Sequence, residues 1–119
     1  MTREFKRTDR VAQTIMRNLA QIIQLELTDH RISGMLTLTE VEVSKDLNYA
    51  KVYFTVFQDE PEKVAEILNS ASSFLRTQLA KTIKTRVVPQ LKFIFDESIE
   101  YSNNLSRLID DVNPKDEED

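Results

Sequence analysis

The chain has no cysteine, no tryptophan and a single glycine, Gly34, among 119 residues. Without cysteine there is no disulfide framework, no thiolate zinc site and no thiol nucleophile. A lone glycine excludes the glycine-rich loops whose backbone cradles phosphates. No apolar run approaches the roughly twenty residues of a membrane span. Met1 is not followed by the apolar stretch of a secretory signal, so a cytoplasmic protein is expected. One histidine, His30, stands between Asp29 and Arg31 in a polar turn and completes no triad. Carboxylate pairs such as Glu40 and Glu42 share a strand face and read as solvent-facing. These absences argue against an enzyme, and no cofactor or metal is expected.

The scarcity that matters most is local. The net charge is −4, which by itself speaks against a polyanionic partner, but the charge is unevenly spread. Residues 96–119 hold nine acids against Arg107 and Lys115, whereas residues 1–95 hold fourteen bases and eleven acids. From Ile67 to Phe95 there are five cations, Arg76, Lys81, Lys84, Arg86 and Lys92, and not one carboxylate. A second basic cluster, Arg3, Lys6, Arg7 and Arg10, opens the chain. An approaching anion meets the local field, not the average.

Hydrophobic spacing gives the order of elements. Thr8 and Asp9 are N-terminal helix signals, and Val11, Ile15, Leu19, Ile22 and Ile23 follow at helical spacing, ending near Thr28. In "MLTLTEVEV" Leu36 and Leu38 share one strand face, while Val41 and Val43 fall on the other, so a bulge is expected near Thr39 or Glu40. "AKVYFTVF" alternates cleanly and pairs with the preceding strand through a short turn. Pro61 starts a second helical stripe, Val64, Ile67, Leu68, Ala71, Leu75, Leu79 and Ile83, which Pro89 ends. "QLKFIF" is a third strand, and Leu105, Leu108, Ile109 and Val112 predict a short C-terminal helix. Residues 1–112 are read as one domain and 113–119 as an acidic disordered tail. At this length one modest core is expected.

The second stripe passes through "NSASSFL", Asn69 to Leu75, where four small residues interrupt a helix. A break there makes the order α-β-β-α-kink-α-β, an α+β fold of the type II KH kind, with a three-stranded sheet covered by helices on one face. KH modules hold single-stranded RNA with a GXXG loop between two helices, and this chain has no such loop. A kink at Ala71–Ser73 would instead gather the hydroxyls of Ser70, Ser72 and Ser73 and the first amides of the next helix at one corner. The alternative is that small residues only let two helices cross closely. Arg76, Lys81 and Lys84 are expected on one side of the second helix, with Arg86 and Lys92 continuing a cationic edge toward the third strand.

Several segments together resemble the bacterial ribosome-binding factor A family: "EFKRTDRVAQ" at Glu4–Gln13, "VEVSKDLNYAKVYF" at Val41–Phe54, "ASSFLR" at Ala71–Arg76 and "RVVPQLKFIFDES" at Arg86–Ser98. The resemblance spans about Arg3 to Leu108. It implies a KH-like fold whose loop is replaced by a helix kink centred on an alanine. It also implies a non-enzymatic ribosome-biogenesis factor that binds the small (30S) ribosomal subunit. In late maturation such a factor acts on the 5′-terminal region of 16S rRNA (rRNA processing), with a link to growth in the cold (cold shock). The family commonly has glycine where this chain has Ser73, and serine is expected to stiffen the corner. The RNA-binding residues expected are Ser70, Ala71, Ser72, Ser73, Arg76, Lys81, Lys84, Arg86 and Lys92, with Arg3, Lys6, Arg7 and Arg10 as a basic arm. The protein is expected to be a monomer, with ribosomal proteins and other assembly factors as further partners and no membrane contact. The competing reading is a protein-interaction module that docks on ribosomal proteins or assembly factors through Tyr53 and Phe57, beside Lys51, on the outer sheet face.

Overall fold

A computed structural model describes residues 7–27, 32, 34–84 and 87–98. The first helix, α1 (Arg7–Glu26), turns Ile15, Leu19, Ile22 and Ile23 inward, as the spacing predicts. It already includes Thr8, so that residue lies within the first turn instead of capping it. Asp9 supplies the acid that favours a helix N-terminus. His30, with Asp29 and Arg31, lies outside the described residues, as do the expected C-terminal helix and acidic tail.

Strands β1 (Leu36–Val43) and β2 (Tyr49–Val56) pair antiparallel, and β3 (Gln90–Phe95) joins β2 in parallel, giving the sheet order β1-β2-β3. The register shifts between Leu38 and Glu40, the bulge that the change of phase predicts. Thr39, the extra residue, donates its hydroxyl to Asp96 Oδ2 at 2.6 Å, beyond the end of β3. Asp46 closes the β1–β2 turn by accepting from the Ser44 hydroxyl at 2.7 Å and from the Asn48 N–H at 3.0 Å. Those bonds, the Ser44 hydroxyl first, hold its carboxyl below the usual range.

Helices α2 (Pro61–Ser70) and α3 (Ser72–Ala80) follow β2. Together with α1 they cover the sheet face that carries Leu38, Val41, Val52, Phe54, Leu91 and Phe93. Ile15 and Leu19 from α1, Leu68 from α2 and Leu75 and Leu79 from α3 are fully enclosed against it. Burying each such side chain contributes roughly 1.5–3 kcal/mol. Phe54 meets Phe95 edge to face, with ring centroids 5.9 Å apart. The other face carries no described helix. Alternation along the strands puts Thr37, Glu40, Glu42, Tyr49, Lys51, Tyr53, Lys92 and Ile94 there.

Candidate nucleic-acid interface

One residue makes the break. Ala71, at φ −91° and ψ 8°, ends α2 and begins α3, and its N–H is shared between the carbonyls of Ile67 and Leu68 at 3.1 Å each. Its own carbonyl accepts from the Leu75 N–H at 2.9 Å, so the hydrogen-bond ladder bends without stopping. The apolar stripe therefore continues across the kink, with Val64, Ile67 and Leu68 buried before it and Leu75 and Leu79 after it.

The small residues have a structural reason at the sheet edge. β3 is an edge strand, and an unpaired strand edge needs partners for its outward N–H and C=O groups. Asn69 supplies two of them: Phe93 N–H donates to Asn69 Oδ1 at 2.8 Å, and Asn69 Nδ2 donates to the Phe93 carbonyl at 3.0 Å. Ser72 donates its hydroxyl to the Leu91 carbonyl at 2.7 Å. The kink thus acts as a short stand-in for a fourth strand, and only small side chains let the helix backbone come so near.

This arrangement divides the predicted serine corner. Ser70 and Ser73 are exposed, whereas Ser72 is half-buried and its hydroxyl is engaged with β3, so the gathering of three hydroxyls at one exposed corner is corrected to two. Ser73 sits in the first turn of α3, and its carbonyl accepts from the Thr77 hydroxyl at 3.0 Å.

The cations also spread further than helical spacing predicts. α3 ends at Ala80, and Lys81 is its C-cap, so Lys84 lies on the segment leaving the helix and not on its face. Thr82 causes the early stop by donating its hydroxyl back to the Leu79 carbonyl at 2.8 Å, and it accepts from Asn18 of α1 at 3.1 Å. Arg76 leans toward β3, with Nε donating to the Val88 carbonyl at 3.0 Å. Lys81 lies on the other flank, lining a shallow cleft of about 390 Å³ between α1 and α3 that also includes Gln21, Glu26 and Gln78. As a cation at a helix C-terminus it also suits the macrodipole. Arg76 and Lys81 therefore bracket the exposed surface of α3 from opposite sides, with Ser73 and Thr77 between them.

Lys92 is not part of this edge. It alternates with buried Leu91 and Phe93, so it projects from the sheet face that carries no described helix, where it is the register partner of Lys51. Period-two alternation in "QLKFIF" carries that assignment, and its continuation from the helical cations is corrected. Arg7 and Arg10 are exposed on the first turns of α1, while Arg3, Lys6 and Arg86 lie outside the described residues. Phe74, 43% exposed on α3 beside Ser73, is a feature that sequence reasoning missed. Its signal was available, because 100° per residue turns Phe74 away from the inward pair Leu75 and Leu79. Among the described residues no group of three or more His, Asp or Glu side chains could hold a metal ion, and no helix is long and apolar enough to cross a membrane.

Among the described residues the element order defines a small α+β domain, a three-stranded mixed sheet with three helices, two of them joined at the Ala71 kink. A family model described as Ribosome-binding factor A matches residues 7–109. The Ribosome-binding factor A of Legionella pneumophila strain Paris is 54% identical over 116 residues, covering 98% of this chain and 94% of that protein. The crystal structure of ribosome-binding factor A from Thermus thermophilus aligns with a TM-score of 0.68 at 32% identity, over 74% of this chain and 93% of that one. A homology model of the Thermus thermophilus factor, fitted into the cryo-EM map of a 30S–RbfA complex, aligns with a TM-score of 0.63 at 32% identity, over 72% and 91%. The chain belongs to the ribosome-binding factor A family.

Proposed function

We propose that this protein binds the small ribosomal subunit and assists late maturation of 16S rRNA by binding alone, without catalysing a reaction. One observation carries the reading. Within the chain's acid-free stretch, the kink, α3 and its exit expose Arg76 and Lys81 on the two flanks of α3, Phe74 on the helix itself and Lys84 on the segment that leaves it. Family membership and the fitting of a Thermus relative into a 30S complex support it.

In this account residues 1–112 act as one RNA-binding unit, working as a monomer in the cytoplasm. The cations neutralise rRNA phosphates, Ser70 and Ser73 and the start of α3 lie against the backbone, and Phe74 stacks on an unpaired base. Arg86 and the arm of Arg3, Lys6, Arg7 and Arg10 extend the same contact. Rescue of a misfolded RNA requires no chemistry from the protein. A surface that binds one RNA conformation better than its competitors shifts the population toward it. We assign the target to the 5′-terminal region of 16S rRNA, and expect the largest effect in the cold, where RNA traps are deepest.

The test is co-sedimentation of the Lys81→Glu/Lys84→Glu variant with purified small subunits. Binding should fall at least tenfold, since each lost phosphate contact is compounded by repulsion, while the thermal melt stays within about 2 °C. Undiminished binding would place the interface elsewhere. The protein-docking reading keeps one observation in its favour, Phe57, 67% exposed just beyond β2. Tyr53, its expected companion, is half-buried and donates its hydroxyl to Glu42 at 3.3 Å.

A further inference from the structure

On the sheet face that carries no described helix, Lys51 of β2 and Lys92 of β3 are direct partners in a parallel register, and both are exposed. Like charges directly opposite one another on a sheet are destabilising, so folding does not require the pair. Tyr49 and Tyr53 stand two residues before and after Lys51 on the same strand face, with Tyr49 58% exposed. Gln90 is the register partner of Tyr49, and Ile94 that of Tyr53. Along β2 the order is therefore aromatic, cation, aromatic, with a second cation alongside. The acids nearest this face are Glu40 and Glu42 on β1, opposite Tyr53 and Lys51, Asp9 of α1 beside Tyr49 and Lys51, and Asp96 just beyond β3, whose charge also reaches Tyr53. Tyr53 donates its hydroxyl to Glu42, and partial burial followed by the Glu42 charge keeps its phenol above the usual range. The paired lysines and Tyr49 thus lie on the β2–β3 part of the face, with Glu40, Glu42 and Asp9 along the β1 side and Asp96 beyond the end of β3.

We propose that the β2–β3 half of this face is a second binding surface for single-stranded RNA, on the opposite side of the sheet from the kink. Lys51 and Lys92 take phosphates, Tyr49 stacks a base, and the β1 carboxylates bound the track and fix its polarity. The chemistry is that of sheet-borne RNA readers, in which aromatics on a strand carry bases and neighbouring cations carry the backbone. It rests on the reading of the protein as a ribosomal RNA binder, and adds that the domain is bivalent, joining two RNA segments across one thin sheet. Two weak contacts on one rigid body reinforce each other without new interactions.

The test uses the full-length chain and a fluorescein-labelled oligouridylate, with binding read by anisotropy over a salt series. Lys51→Gln/Lys92→Gln should weaken binding about tenfold and make the slope of log K against log salt shallower by about 1.4, the value for two phosphates of a single strand. Because the variant relieves a repulsion, its melting temperature should be unchanged or raised, an outcome that a merely structural lysine pair would not give. Tyr49→Ala should weaken binding at least fivefold, as expected for a lost stacking partner, with little change in slope. Short-wave ultraviolet irradiation of the complex with small subunits should attach Tyr49 to rRNA. An unchanged affinity and slope in the lysine variant would overturn the proposal, as would attachment of Tyr49 to a ribosomal protein. Lys81→Glu/Lys84→Glu, measured alongside, separates the surfaces. If it alone loses binding, the sheet face fails and the kink stands; if the sheet variants alone lose binding, the kink fails and the sheet face stands.

Discussion

At Gly34 the nearest neighbours leave room for a hydrogen and nothing more. A Cβ built there would lie 1.6 Å from the Phe57 carbonyl oxygen and 2.9 Å from its carbon. The contact is backbone against backbone, so no side-chain rotation relieves it. The same residue donates its N–H to Asp59 Oδ2 at 2.7 Å, and the next residue, Met35, accepts from the Phe57 N–H at 3.0 Å. The only glycine of the chain therefore locks the entry of β1 to the exit of β2. Gly34→Ala should cost about 3 kcal/mol, at the upper end of overpacking changes, and this is measurable by urea unfolding. Asp46 gives a pH test at the same scale. Its hydrogen bonds lower the folded-state pKa, so its contribution is complete above the unfolded value and is lost as pH falls through the folded one. The melting temperature of Asp46→Asn should lie below that of the parent at neutral pH, and the gap should close in acid below the carboxylate range. A constant gap would show that the carboxylate charge is not what holds the turn.

Among the elements, the α2–α3 pair explains itself through what it touches. Asn69 and Ser72 reach backbone groups of β3 that lie 24 and 19 residues further along the chain. Asn69→Ala leaves the Phe93 N–H without its partner and should destabilise by roughly 1–3 kcal/mol. Ser70→Ala, at an exposed neighbour, should stay within about 0.5 kcal/mol. Equal effects on thermal melting would remove the edge-closing role. The periodic features of these elements are legible in the sequence. Helical spacing locates α1 and the stripe across the kink, and the phase slip locates the bulge at Thr39. Non-local contacts are not legible: no local pattern says that an asparagine in a helix will complete a strand edge. The end of α3 is hidden because apolar Ile83 continues the stripe, while the Thr82 hydroxyl and the Asn18 contact from α1 stop the helix at Ala80. Lys92 is misplaced for another reason. Counting charge along the chain groups it with the helical cations, although the alternation of Leu91 and Phe93 already assigns it to the opposite face.

At the scale of the whole molecule, an acidic protein binds a polyanion only if its charges are separated in space. The acid-free stretch puts Arg76 and Lys81 on the two flanks of α3 and Lys92 on the opposite face of the sheet, where Glu40 and Glu42 lie on β1 and Asp96 lies just beyond β3. The candidate site is legible as a region of the chain more than as a constellation. Sequence locates the cationic segment, but its division between the two flanks of α3 depends on packing against α1 and β3. The central claim is that phosphate contact through α3 and its exit drives association with the small subunit. Its most direct test is the affinity of the protein for purified small subunits across a series of salt concentrations, measured for the parent and for Lys81→Glu/Lys84→Glu. For the parent, log K should fall steeply and linearly with log salt, and the variant should show a slope shallower by about 1.4 to 1.8, as two phosphate contacts require. A parent affinity nearly independent of salt, or identical slopes for the two proteins, would contradict the account.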